Sequence, residues 1–231
     1  MTDWLGPEEW RAVALSLKVA FWATVLSLPL ALWVAHVLAR RDFPGKQVLN
    51  GLVHLPLILP PVVTGYLLLR AFGTQGPVGA LLDRVGMPVA FHWTGAALAA
   101  AVMAFPLMVR AIRLSIEAVD PRLEAAAATL GASRAWIFVT ITLPMALPGI
   151  IAGAILAFAK AMGEFGATIT FVSNIPGQTQ TVPSAIYAFL QVPGGEASAW
   201  RLVIVSICVA MGALILSEWL ARRAAHRLRG A

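Results

Sequence analysis

The residues in this 231-residue chain that could do chemistry are few, and the chemistry they suit is non-covalent. Lys160 and Glu164 are four apart and would share one face of a helix. After them, the stretch GEFGATITFVSNIPGQTQTVPSAIY (residues 163–187) offers neutral hydrogen-bonding groups at Thr168, Thr170, Ser173, Asn174, Thr179 and Thr181. Neutral donors suit transient passage of an anion, because a fixed cation would trap it. Charges at membrane depth are costly and often functional, but a plain Lys160–Glu164 structural pair accounts for these two residues equally well. Nothing resembles a Ser-His-Asp or Cys-His arrangement, so no catalytic residue is assigned. His36, His54, His92 and His226 lack metal-ligand spacing, and the single cysteine, Cys208, leaves no intramolecular disulfide. A GxxxxGKS/T phosphate loop is missing, so the chain is expected not to hydrolyse ATP.

The elements that must carry these groups are membrane helices. The chain is 59% hydrophobic and 12% charged, whereas soluble domains average roughly 45–50% and about 25%. About 20 apolar residues cross a bilayer, and five segments qualify: about Ala12–Ala39, Val48–Leu69, Trp93–Val109, Met145–Gly163 and Leu202–Ala221. The start, MTDWLGPEEWR, is acidic on balance and lacks the positive leader of a signal peptide, so the first span is expected to be retained.

The net charge of +6 does not point to nucleic acid, because the cations cluster between spans in the manner of cytoplasmic loops. Arg40, Arg41 and Lys46 follow span one. Arg110, Arg113, Arg122 and Arg134 separate spans three and four, and Arg222, Arg223, Arg227 and Arg229 follow span five. All fall on one side if five spans run with the N-terminus outside and the C-terminus cytoplasmic. Val182–Val192 is about half a span long and is read as a short re-entrant or interfacial helix on the outer side. The whole chain, 1–231, reads as one transmembrane domain.

Two interruptions bear on function. Span two contains Pro56, Pro60, Pro61 and Gly65, which break helix geometry. Broken backbone at membrane depth is tolerated where it lines a water-filled path. Pro60, Pro61 and Thr64 are therefore pathway candidates, with a merely kinked span as the other reading. The second interruption lies between spans three and four, at about 120–144. Asp120-Pro121 is a helix start, the alanines after Glu124 favour helix, Gly131 can stop it in a left-handed conformation, and Ser133 can cap a second short helix through Val139. Leu143-Pro144 is expected to end that helix and lead into span four.

This hairpin resembles the cytoplasmic loop of ABC-importer permeases, whose pattern is Glu-Ala-Ala, three residues, Gly, nine residues, Ile-x-Leu-Pro. Here Gly131 is followed, after nine residues, by Ile141-Thr142-Leu143-Pro144. Ala125, Ala126 and Ala127 stand where Glu-Ala-Ala is expected, and Glu124 lies one residue early, about 100° around a helix. Substituting Glu124 is accordingly expected to matter less than substituting Gly131.

The hairpin, HLPLILPPVVTGYLLL (residues 54–69), FPLMVRAIR (residues 105–113) and the Glu164–Tyr187 stretch together resemble the molybdate branch of these permeases, from about Trp10 to Ala221. Glu-Phe-Gly-Ala at 164–167 is shared with the sulfate and thiosulfate branch. The resemblance implies an all-α permease of the type I ABC-importer fold in the bacterial inner membrane. It also implies pairing as a homodimer, two separate ATP-binding cassette subunits carrying ATP and Mg, and a periplasmic molybdate-binding protein. The hairpin would transmit ATPase closure, and the cargo would be molybdate with tungstate, or sulfate in the neighbouring branch. A stand-alone secondary transporter or channel would call for inverted repeats or deep acidic relays, and a membrane enzyme for convergent reactive side chains; neither is visible.

Overall fold

The computed structural model describes residues 4–229. It is a helical bundle built around one central helix. α1 (Pro7–Arg40) starts with Pro7 at its first position, where the missing N–H costs nothing, and carries Glu8 and Glu9 in its first turn. Its 34 residues rise about 51 Å, well beyond a hydrocarbon core of about 30 Å. The central helix is α5 (Trp93–Glu117), which packs most extensively on α1 and on α8 (Leu143–Met162).

Small residues make these approaches close. Ala20, Ala23, Ala31 and Ala35 of α1 and Ala96, Ala99, Ala100 and Ala104 of α5 are buried, and Gly153 of α8 lies against Ala111 and Ile112. Inside a membrane, where burial from water no longer drives association, such van der Waals contact between small residues holds helices together. The outward faces carry exposed large apolar side chains such as Leu26, Leu30, Ile207 and Ile215, as a lipid-facing surface requires.

The expected span two is two helices. α2 (Lys46–Ile58) and α3 (Pro61–Phe72) meet at a bend of 111°. The physical reason is Pro60-Pro61: each proline pushes the residue before it out of the helical region, and Leu59 and Pro60 are extended at ψ 145° and 134°. At 13 and 12 residues, each piece spans only about 18–20 Å. Among the described residues, four helices are therefore long and apolar enough to cross, or five if the bent pair counts as one crossing.

The return limb of the hairpin also departs from expectation. α6 (Pro121–Thr129) and α7 (Arg134–Ile137) form as expected, but α7 does not end at Leu143-Pro144. A π-turn, Phe138–Thr142, carries the chain straight into α8, closing with a bond from the Leu143 N–H to the Phe138 carbonyl. Pro144 then sits in the first turn of α8, where a proline is tolerated. The apolar segment accordingly runs from Arg134 to Met162.

α4 (Gly79–Arg84) links α3 to α5, and α9 (Gly166–Val172) and α10 (Val182–Leu190) follow α8. α10 is nine residues long, in line with the short helix expected there. α11 (Glu196–Arg229) completes the bundle; of the basic residues expected after span five, the side chains of Arg227 and Arg229 lie outside the described residues.

Polar contacts sort the two ends of the bundle. At one end Arg40 reaches Glu124 and Val119, and Arg113 donates to Asn50. At the other, Arg201 of α11 grips Glu9 of α1, the Val182 N–H donates to Ser16, and the Lys18 ammonium lies 3.7 Å over the Trp93 ring. The start of α1 and the start of α11 thus share the end opposite the hairpin.

Candidate functional site: a surface hairpin and a broken-helix contact

The hairpin is built by local rules. Asp120 Oδ1 accepts the Arg122 N–H at 2.9 Å, capping α6, and Ser133 Oγ accepts the Trp136 N–H at 3.3 Å, capping α7. Between them Gly131 adopts φ 86°, with nothing within 4 Å of where a Cβ would stand. The requirement at Gly131 is therefore backbone conformation rather than space. No residue of α6 is buried, and Leu130 at the apex is 88% exposed. Leu123, Trp136 and Val139 are exposed as well. The hairpin therefore leaves large apolar side chains exposed at and beside its turn.

The predicted hairpin residues divide into two groups. Ala125 and Ala126 face outward and Ala127 is half-buried, so the alanine ridge is largely available. Ile141, Leu143 and Pro144 are half-buried in the return limb, where they root the hairpin. Glu124 is turned toward its own chain. Its Oε1 accepts from Thr142 Oγ1 at 2.7 Å and pairs with Arg40 at 3.1 Å. The shifted register noted above has this structural counterpart: the carboxylate points into the root of the hairpin.

The second assembly joins α3 and α9. Glu164 is buried, paired with Lys160 at 2.7 Å, and its other oxygen accepts the Ala167 N–H at 3.1 Å, ordering the first turn of α9. α9 packs on α3 so tightly that a Cβ on Gly65 would stand 2.5 Å from the Ala167 carbonyl oxygen and 2.9 Å from Thr170 Cβ. A Cβ on Gly166 would stand 2.8 Å from Pro61 Cβ.

The fold therefore brings the predicted Pro61 and Thr64 to the helix that carries Thr168 and Thr170. Thr64 and Thr168 are buried, and Thr64 Oγ1 has no hydrogen-bond partner among the described residues. Asn174 Oδ1 is likewise buried and unpartnered, while Thr170 spends its hydroxyl on the Gly166 carbonyl at 2.8 Å. Ser173 is exposed at φ 65°, a left-handed conformation at the end of α9. Pro60 is exposed at the bend.

Sequence reasoning gave no contact to Arg40, Thr142 or Gly166, which it placed only in a basic cluster and in two motifs. Arg40 and Glu124 are 84 residues apart, and no periodicity links them. A groove of about 670 Å³ between α1, α2 and α5 is lined by apolar side chains such as Trp22, Leu26, Leu52 and Phe105. It offers an anion almost nothing to bond.

The family model "binding-protein-dependent transport system inner membrane component" matches residues 27–226. The chain belongs to this family. It is 60% identical over 224 residues to the molybdenum transport system permease protein ModB of Escherichia coli K12, covering 96% of this chain and 98% of that one. The ModB of Haemophilus influenzae is 54% identical over 221 residues, covering 95% and 96%. The sulfate transport system permease protein CysT of Salmonella typhimurium is 33% identical, covering 94% of this chain and 80% of that one.

Among solved structures, a bacterial ABC transporter that imports alginate matches with a TM-score of 0.73 at 17% identity, covering 94% of this chain and 80% of that one. The MetNI methionine ABC transporter matches at 0.68 and 13% identity, covering 94% of both chains. At these identities they speak for the fold, which is that of type I ABC-importer permeases. The expected likeness to the molybdate branch is borne out. Members of this binding-protein-dependent family are inner-membrane components, and the apolar helices make the chain a multi-pass protein of the bacterial inner membrane.

Proposed function

We propose that the chain is the permease subunit of an ATP-driven molybdate importer, with tungstate as a second cargo. The observation that carries this reading is 60% identity to a molybdenum permease over nearly the full length of both chains. In the assembly two copies pair. Each exposed hairpin, with Leu130 at its apex, seats in a groove of a separate ATP-binding cassette subunit that holds ATP and Mg. A periplasmic binding protein delivers the oxyanion at the opposite end. Closure of the ATPase subunits displaces the hairpins and switches the permease between inward- and outward-facing states.

On this reading the C-terminus is cytoplasmic and the α3–α9 contact borders the path. The unpartnered Thr64 hydroxyl and Asn174 carbonyl oxygen are then groups free to change partners as the path opens. Thr64 and the Asn174 side-chain amide can also donate hydrogen bonds without fixing a dianion in place.

A second reading, sulfate or thiosulfate import, has one observation in its favour, the match to CysT across 94% of this chain. Both cargoes are tetrahedral dianions. The test is ATPase activity of the complex in lipid, with its ATPase and with binding protein loaded with molybdate or with sulfate. Stimulation by molybdate alone supports the first reading and stimulation by sulfate alone the second. If no ATPase subunit associates with the permease, both fail.

A further inference from the structure

We propose that Arg40 is a positioning residue that ties the ATPase-coupling hairpin to α1, so that hairpin movement is handed directly to α1 as well as along α5 and α8. The inference rests on the reading of the hairpin as the ATPase contact. Arg40 is the last residue of α1, and its side chain is 16% exposed. Its Nε and Nη2 lie 3.2 and 3.1 Å from Glu124 Oε1, and Nη2 also donates to the Val119 carbonyl at 2.9 Å. Thr142 Oγ1 donates to the same Glu124 oxygen at 2.7 Å. One carboxylate oxygen therefore joins three pieces of chain: the end of α1, the outgoing limb α6 and the π-turn of the return limb. One turn earlier on α1, the His36 ring packs edge-on against Phe138 of that π-turn, with centroids 4.6 Å apart. The last turn of α1 thus holds both limbs.

The physical case is one of competing stiffness. α6 buries no side chain, so little apolar contact fixes it to the bundle, and π-turns interrupt regular helix bonding and recur at functional sites. A hairpin held only through its two chain connections could bend where it is weakest when pushed. Charge-assisted hydrogen bonds sheltered from water are the strong kind, and here they close the hairpin's root onto a third helix. Turning Glu124 inward gives that carboxylate a role in transmission rather than in docking.

The experiment uses the full complex in lipid, with its ATPase and binding protein, and scores molybdate transported per ATP hydrolysed. Wild type is scored first; if no ATPase subunit co-purifies with it, the reading of the hairpin fails, independently of Arg40. The variants are Arg40→Gln, Glu124→Gln, their double, and Arg40→Lys. Each Gln variant should keep its ATPase subunit bound and lose about tenfold in transport per ATP, the scale of one charge-assisted bond. The double should be no worse than Arg40→Gln alone, because that variant already removes the Glu124 contact together with the Val119 bond, and Arg40→Lys should recover part of the loss. Should Arg40→Gln fail to accumulate, Glu124→Gln decides alone. An unchanged ratio in the Gln variants, additive losses in the double, or release of the ATPase subunit by Glu124→Gln would each overturn the proposal.

Discussion

Gly65→Ala is the smallest change that probes the α3–α9 contact. The added Cβ would stand 2.5 Å from the Ala167 carbonyl oxygen, 2.9 Å from Ala167 Cα and 2.9 Å from Thr170 Cβ. Ordinary carbon contacts lie at about 3.5–4.0 Å, so α3 and α9 must separate by roughly 1 Å. Two of the three obstacles are backbone atoms, which no rotamer change can move aside. Overpacking of this kind costs about 1–3 kcal/mol. Against it stands a helix-propensity gain of up to ~1 kcal/mol for alanine over glycine, which leaves a net loss of about 1–2 kcal/mol. For a chain of this size that is roughly 2–8 °C in melting temperature.

The control is Gly212→Ala on α11, where nothing lies within 4 Å of the new Cβ; only the propensity term remains there, and no loss is expected. Both variants would be melted as purified complex in lipid nanodiscs and scored for transport. Gly65→Ala should melt earlier and lose transport, because Thr64 moves with its backbone. If it melts and transports like Gly212→Ala, α3 and α9 do not pack as described, and the pathway assignment loses its geometric basis.

Other predictions follow from the same geometry. At Gly131, strain from the left-handed backbone should cost Gly131→Ala about 1–2 kcal/mol, while Gly131→Leu adds bulk at the turn and should uncouple ATP hydrolysis from transport; unchanged coupling in a well-expressed Gly131→Leu refutes the role of the hairpin. Glu9 is buried and gripped by Arg201 at 2.7 Å, so Glu9→Ala should lower stability by ~2 kcal/mol, below the roughly 3–5 of a fully buried broken pair, because Arg201 keeps a third of its side chain in contact with solvent; a melting temperature equal to wild type would refute it. Cysteines at Pro60, Pro61 and Thr64, introduced after replacing the exposed Cys208, should label from the aqueous side in a state-dependent way, with Thr64, buried here, protected in one state; lack of reaction at all three in both transport states means a lipid-facing or packed kink.

Much of the hairpin was legible because its signals are local. Asp120, Pro121, Gly131 and Ser133 act within a few residues of themselves, and each does what its chemistry indicates. The return limb is not legible at Leu143-Pro144, since a proline in the first turn after a π-turn looks, in sequence, like a helix stop. Span two is legible as broken, and the size of the break, a bend of 111° at Pro60-Pro61, emerges only from the structure. Pro61 and Thr64 were singled out beside Thr168 and Thr170, whereas the reason they meet, glycines on both facing helices, emerged only from the packing.

Legible without any structure are the class, the run of apolar helices and the placing of an alanine-rich hairpin among them. Composition, hydropathy and capping are properties of single residues and their near neighbours, and the membrane, by demanding satisfied backbone, leaves a continuous apolar run of about 20 residues to cross as helix. Which oxygen Arg40 finds, that Glu124 faces inward, and that Gly65 admits α9 are set by long-range packing. Those outcomes depend on the relative rotation and height of helices distant in sequence. One residue of register turns a side chain by about 100°, and that rotation is fixed by the packing of the whole bundle.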